Sequence, residues 1–267
     1  MASIQDMGPY LLSEAAALAL AVARVSGFVM VSPFPGRNVP AQSKIGLILL
    51  FAFLARAANP LTAVNLTLDF SLLAIAPTEL GIGLVIGFVV RLTFASAEIL
   101  AASFAQATGL TMGAIFDPSL GTEDPIPARI VSMFGMLLFV ALGAHRVAIA
   151  YTLESFRALP IGTAVSISAA APSIVDFLAQ VTEAGVRIAL PVMAVALVVH
   201  VALALIARAS PSLQILSVGM GITVAAGFLV IMASLEDAGA GLSVEFQREG
   251  ARIDQILLDT APAAKTP

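Results

Sequence analysis

Two uninterrupted apolar runs, Ile188 to Ala207 and Leu213 to Leu235, constrain this chain more than any other feature in it. Each is near the 20 residues an α-helix needs to cross the hydrocarbon core of a bilayer, and neither holds Asp, Glu, Lys or Arg. Lipid offers backbone N–H and C=O groups no partner, so runs of this kind fold as helices. The remainder of the sequence has the same character. Of 267 residues only 11% are charged and 59% are hydrophobic, whereas a soluble domain carries about 25% charged residues. Too few charges remain to coat a water-soluble surface, and the chain reads as an all-α integral membrane protein.

Four further apolar segments precede these two. Pro9 to Val31 contains Glu14 and Arg24, and Ile45 to Ala58 is a short run between Lys44 and Arg56. Leu72 to Val90 carries Glu79 and the glycines Gly81, Gly83 and Gly87, and Arg91 to Ala107 follows it with a helical pattern. Ile130 to Ala144 is the fourth, with a continuation past His145-Arg146 toward Phe156. The sequence thus predicts about six hydrophobic helices in hairpins, forming one domain over residues 1–235. Pro160 to Pro172 is too rich in Ser, Thr and Ala to be a span. The tail, residues 236–267, carries a weak apolar stripe at Leu242, Phe246, Ile253 and Leu257, an expected docking face for a partner.

The stretch Ile99 to Phe116 is uncharged but makes a poor helix. Gln106, Thr108, Gly109, Thr111 and Gly113 interrupt it, and it stops at Asp117-Pro118. A glycine in a helix interior costs about 1 kcal/mol, so two within five residues predict irregular backbone after about Gln106. Such backbone at membrane depth must be buried in protein or line a water-filled space. Two readings stand at this point: a pore element, or a frayed helix end with a surface loop.

Charges inside or beside the apolar segments (Glu14, Arg24, Glu79, Arg91, Glu98) each cost a few kcal/mol unless paired or hydrated. They are expected as interhelix ion pairs or, alternatively, as a substrate or proton path. Positive residues are spread over both sides of the helices and set no orientation. Small residues predict close helix packing: Ala15, Ala19 and Ala23 on one face of the first segment with Ala17 and Ala21 beside it, and a GxxxG step at Gly83 and Gly87.

The catalytic inventory is nearly empty. There is no phosphate-cradling GxxxxGK[ST], no HExxH for zinc and no GxSxG nucleophile elbow. With no cysteine, thiol catalysis, disulfides and thiolate metal sites are excluded. His200, alone among Val and Ala, reads as a helix-to-helix hydrogen-bonding group rather than a proton relay. Asp117, Glu123 and Asp124, among three prolines, read as a solvated turn. No cofactor and no enzymatic activity are expected.

Three blocks in order resemble the FliR/SctT family, an export-gate subunit of bacterial flagellar and type III secretion systems. The first, residues 22–47, has Arg24, Pro33, Val39-Pro40 and Lys44. The second, residues 78–121, has Glu79, Gly81, Gly83, Gly87, Glu98, Gln106, Gly109, Gly113 and Asp117-Pro118. The third, residues 207–221, is similar through Arg208, Pro211 and Gly219 but departs from the family at Ser212, Gln214, Leu216, Met220 and Gly221.

The resemblance implies a subunit of the export gate, more in keeping with a flagellum than an injectisome, within a basal body in the bacterial inner membrane. It would be packed in a larger helical assembly with FliP-type and FliQ-type subunits and would contact an FlhB-type switch protein. Unfolded export substrates would pass through the channel. By position, Gln106 to Gly121 would be a plug, with Met112, Ile115 and Phe116 as its apolar sealing residues and Gly109 and Gly113 letting it move. Two other readings remain: an ion-coupled secondary transporter using Glu79, Glu98 and Arg91 at a broken helix, and a non-conducting membrane scaffold.

Overall fold

The computed structural model of the protein describes residues 4–36, 39–58, 70–107, 126–163, 167–209 and 215–260. Among these residues the regular structure is helical. The α-helices are α1 (Ile4–Val31), α2 (Ala41–Ala58), α3 (Phe70–Ala107), α4 (Ile126–Ala141), α5 (Ala144–Ala158), α6 (Ala171–Ala209), α7 (Ile215–Gln247) and α8 (Glu249–Thr260). A short 3-10 turn, Ile167–Ala170, leads into α6.

Among the described residues, four stretches are long and apolar enough to cross a membrane: Leu11–Val31, Ala41–Ala58, Ile75–Ser103 and Ala171–Ile206. Ser132–Ala141 together with Ala144–Ala158 adds a fifth if that broken pair is one span. The chain is therefore an all-α protein built for a membrane. Its helices run longer than the apolar segments that announce them. The third segment and its neighbour Arg91 to Ala107 form one helix of 38 residues. The fifth begins at Ala171 rather than near Ile188 and gives a helix of 39 residues, or about 58 Å. Its added half carries Asp176, Glu183 and Arg187, and the i,i+4 pair Arg187–Glu183 at 2.6 Å supports the helix through the polar stretch. The fourth segment breaks after Ala141. Gly143 adopts the left-handed conformation, φ 75°, and α5 starts afresh behind it.

The chain divides into two compact units. The first comprises residues 1–92, 143–178 and 248–267. In it α1 buries Ala16, Ala17, Leu20, Ala21, Val25 and Phe28, a line at helical spacing. This shifts the expected packing face: Ala17 and Ala21 are buried, whereas Ala15 and Ala19 are exposed and Ala23 is half-buried. The buried line is the one that continues through Arg24 to Phe28, where α1 meets α3. Arg56 of α2 makes a two-pronged pair with Glu14 of α1, with Nε donating to Oε2 at 2.8 Å and Nη2 to Oε1. α8 lies on α5, where Gly250 leaves room for the Tyr151 ring, and Ser173 near the start of α6 hydrogen-bonds Asp259.

The second unit comprises residues 93–142 and 179–247. Its core is a stack of three rings from three helices. Phe139 of α4 meets Phe94 of α3 edge-on at 6.2 Å and Phe246 of α7 edge-on at 5.4 Å, a favoured aromatic geometry. Of the tail's stripe, Leu242 and Phe246 are buried in this unit, and Ile253 and Leu257 in the first.

Candidate functional site: a buried arginine where three segments meet

Three glycines bring α1 and α3 into backbone contact. A Cβ added at Gly83 would lie 1.8 Å from the Arg24 carbonyl oxygen, one at Gly87 2.6 Å from that of Phe28, and one at Gly27 2.4 Å from that of Leu80. No side chain fits between these helices. With nothing apolar to exclude from water, membrane helices associate through such close approach, and it sets the stage for one polar side chain at the crossing.

That side chain is Arg24, which is 0% exposed. Its Nε donates to Glu79 Oε2 at 2.7 Å, and Nη2 lies 2.6 Å from the same oxygen. Nη1 donates to the Ser155 carbonyl at 2.9 Å and to its hydroxyl at 3.3 Å, while Nη2 donates to the Leu159 carbonyl at 2.9 Å. Ser155 and Leu159 sit at the end of α5, so the guanidinium takes up the Leu159 carbonyl, shares the Ser155 carbonyl with the Leu159 N–H, and meets the negative end of the helix dipole. The plane also lies over the Phe156 ring at 4.3 Å. Glu79 is 1% exposed, and its second oxygen accepts from the Gly162 N–H at 3.0 Å. Gly162 has φ +84°, a conformation that L side chains rarely adopt. One buried ion pair thus ties together α1, α3, the end of α5 and the turn after it.

The other residues singled out from the sequence fall elsewhere. Gly83 and Gly87 belong to the same crossing. Glu98 is half-buried on α3 in the second unit, and Arg91 is half-buried on α3 in the first. Arg208 is exposed near the end of α6, and His200 is exposed on the same helix. Gln106 is exposed in the last turn of α3, which ends at Ala107. Gly109, Met112, Gly113, Ile115, Phe116, Asp117, Pro118 and Pro211 lie outside the described residues. Sequence reasoning did not find Ser155, Phe156, Leu159 or Gly162 as parts of the junction. Three of the contacts there are made by backbone atoms, which leave no residue signature.

The arrangement holds no triad, phosphate cradle or ligand cluster. Among the described residues no group of three His, Cys, Asp or Glu side chains gathers as for a metal ion. What the crossing does chemically is fix a charge pair where neither member can be removed alone.

The family profile described as "Bacterial export proteins, family 1" matches residues 15–248. The chain belongs to this family. Its relatives include three proteins named "Flagellar biosynthetic protein FliR". That of Escherichia coli (strain K12) is 28% identical over 213 residues, covering 79% of this chain and 81% of the relative. That of Aquifex aeolicus (strain VF5) is 28% identical over 232 residues, covering 86% and 89%. That of Caulobacter vibrioides is 31% identical over 220 residues, covering 81% and 87%. In this family 1 export protein the matched region contains the whole Arg24–Glu79 crossing and the stretch from Gln106 to Gly121. The family match stops one residue before α8 begins.

Proposed function

We propose that this chain is a subunit of the flagellar protein export apparatus. The observation that carries this reading is the family match across residues 15–248, together with relatives named for flagellar biosynthesis along nearly their whole length. Apolar helices of bilayer length assign it to a membrane, and the bacterial inner membrane is the one an export apparatus must breach. Its part there is structural rather than enzymatic.

Within that apparatus the subunit completes a helical gate with FliP-type and FliQ-type partners and contacts an FlhB-type switch protein. The glycine-punctuated segment from Gln106 to Gly121 plugs the channel until an unfolded substrate enters. Support for the plug comes from its composition: the apolar side chains of Met112, Ile115 and Phe116 would exclude water and ions, and Gly109 and Gly113 would allow it to move. The transporter reading finds less support, because both oxygens of Glu79 are already engaged by Arg24 and Gly162.

A strain carrying a deletion of Leu110 to Ile115 tests the proposal, with motility and small-ion leakage across the inner membrane measured together. Leakage with the protein still assembled is the expected result. A tight membrane with normal motility would overturn the plug and return the segment to an ordinary helix end.

A further inference from the structure

Glu249 is the first residue of α8, is completely buried, and has no hydrogen-bond partner on either carboxylate oxygen among the described residues. An ion held this way would lose several kcal/mol of hydration with little in return. The neutral acid loses far less. Among the described residues, burial is the larger influence on the carboxyl and the attraction of Arg252 the smaller. From α5 the titratable neighbour is Tyr151, which stacks on Gly250 and hydrogen-bonds Asp254, one turn further along α8. The 3-10 turn Ile167–Ala170 contributes no ionisable side chain. The start of α6 offers Ser173, bonded to Asp259, and the Phe177 ring. On α8 itself the charge that acts on Glu249 is that of Arg252, whose guanidinium is spread over Phe177 at 4.4 Å.

We infer that α8 is a proton-controlled latch: a protonated Glu249 lets the helix dock on α5 and the start of α6, and loss of that proton releases it. Two features make the helix releasable. It is 12 residues long, so once undocked it is marginal as a helix, and docking and folding are one step. It also joins the rest of the chain through the single turn at Arg248, where the chain passes from one compact unit to the other. Six of its residues, Glu249, Gly250, Ile253, Ile256, Leu257 and Thr260, are buried by docking.

Burial outweighs the attraction of Arg252 and raises the carboxyl from 4.5 to about 8 in the docked state. A released α8 has the ordinary value. Between the two, docking takes up one proton, so the docking constant falls tenfold per pH unit as the pH rises. Above about 8 the docked carboxyl is itself ionised and the dependence levels off. The latch lies beyond the family match and stands independently of the plug.

Amide hydrogen exchange on the full chain in lipid nanodiscs tests it, because exchange reads opening equilibria over many decades. After correction for intrinsic rates, protection of the amides from Ile253 to Thr260 is expected to fall up to tenfold per pH unit between pH 5 and about 8. In Glu249→Gln the same amides hold a constant protection. If the glutamine variant does not dock, Glu249→Met, of similar length and without polar oxygens, serves in its place. Equal pH dependence in the native chain and the docked variant would overturn the inference. So would a fall in protection shared by α1, since that reports opening of the whole protein.

Discussion

Glu79 Oε2 and Arg24 Nε meet at 2.7 Å although 55 positions separate the two residues. The pair is fully buried, so its worth lies in what happens when it is broken rather than in its net energy. Truncating one member of a buried pair strands the other, at a cost of about 3–5 kcal/mol. Arg24→Ala and Glu79→Ala should each abolish accumulation of the protein in membranes, as read by immunoblot and by thermal melting in detergent. Arg24→Met combined with Glu79→Leu should recover more protein than either single variant. Arg24→Lys should behave close to Arg24→Ala, since an ammonium lacks the fork that reaches Glu79, Ser155 and Leu159 together.

Gly83 and Gly46 are both helical glycines and should respond in opposite ways to alanine. Gly83→Ala drives a methyl group into the Arg24 carbonyl and must push α1 and α3 apart. Gly46 has nothing within 4 Å of the new Cβ, so Gly46→Ala should stabilise α2 by up to about 1 kcal/mol through helix propensity alone. Melting temperatures of the two variants in one detergent check the contrast. A Gly83→Ala protein as stable as the native chain would remove the crossing from this account.

The Glu14–Arg56 pair is only partly buried, and each side chain retains access to solvent. Glu14→Gln should therefore cost about 1 kcal/mol or less, well below the loss expected at Arg24. The measurement is the same melting comparison. It separates a pair that merely links α1 to α2 from one that fixes a junction.

Phe139 lies between Phe94 and Phe246 with no exposed surface. Phe139→Ala should destabilise the second unit by about 3–5 kcal/mol. Phe139→Leu should lose less, keeping most of the volume while giving up the edge-on ring contacts. Limited proteolysis within residues 179–247 of the purified chain reads this loss.

The fold was legible wherever bilayer-length apolar runs exist, because composition alone decides whether such a run can face lipid. The run that became α1 and the two nearest the C-terminus were found this way. Helix ends were less legible. Asp176, Glu183 and Arg187 look like the outside of a span, yet α6 runs through all three, with Glu183 and Arg187 joined as an i,i+4 pair. The GxxxG step at Gly83 and Gly87 was legible as close packing, and the backbone of α1 meets it at Arg24 and Phe28. The site was half legible. Arg24 and Glu79 stand out because isolated charges in apolar segments demand partners. Apart from the Ser155 hydroxyl, their other hydrogen-bond partners, at Ser155, Leu159 and Gly162, are backbone groups, and nothing about a leucine in sequence says that its carbonyl will cap an arginine. Where α8 docks was illegible for the same reason: its weak stripe names an apolar face, not what covers it.

The reach of Arg24 has a consequence in time. Glu79 follows it by 55 residues and Ser155 by 131. At a synthesis rate of about 5–20 residues per second, the arginine waits a few seconds for its carboxylate and roughly ten seconds for the carbonyls of α5. Through that interval an unpaired cation on a nascent apolar helix costs a few kcal/mol in lipid. The first helix must linger in a hydrated setting, at the translocon or the membrane surface, and its final insertion is timed by residues made long after it.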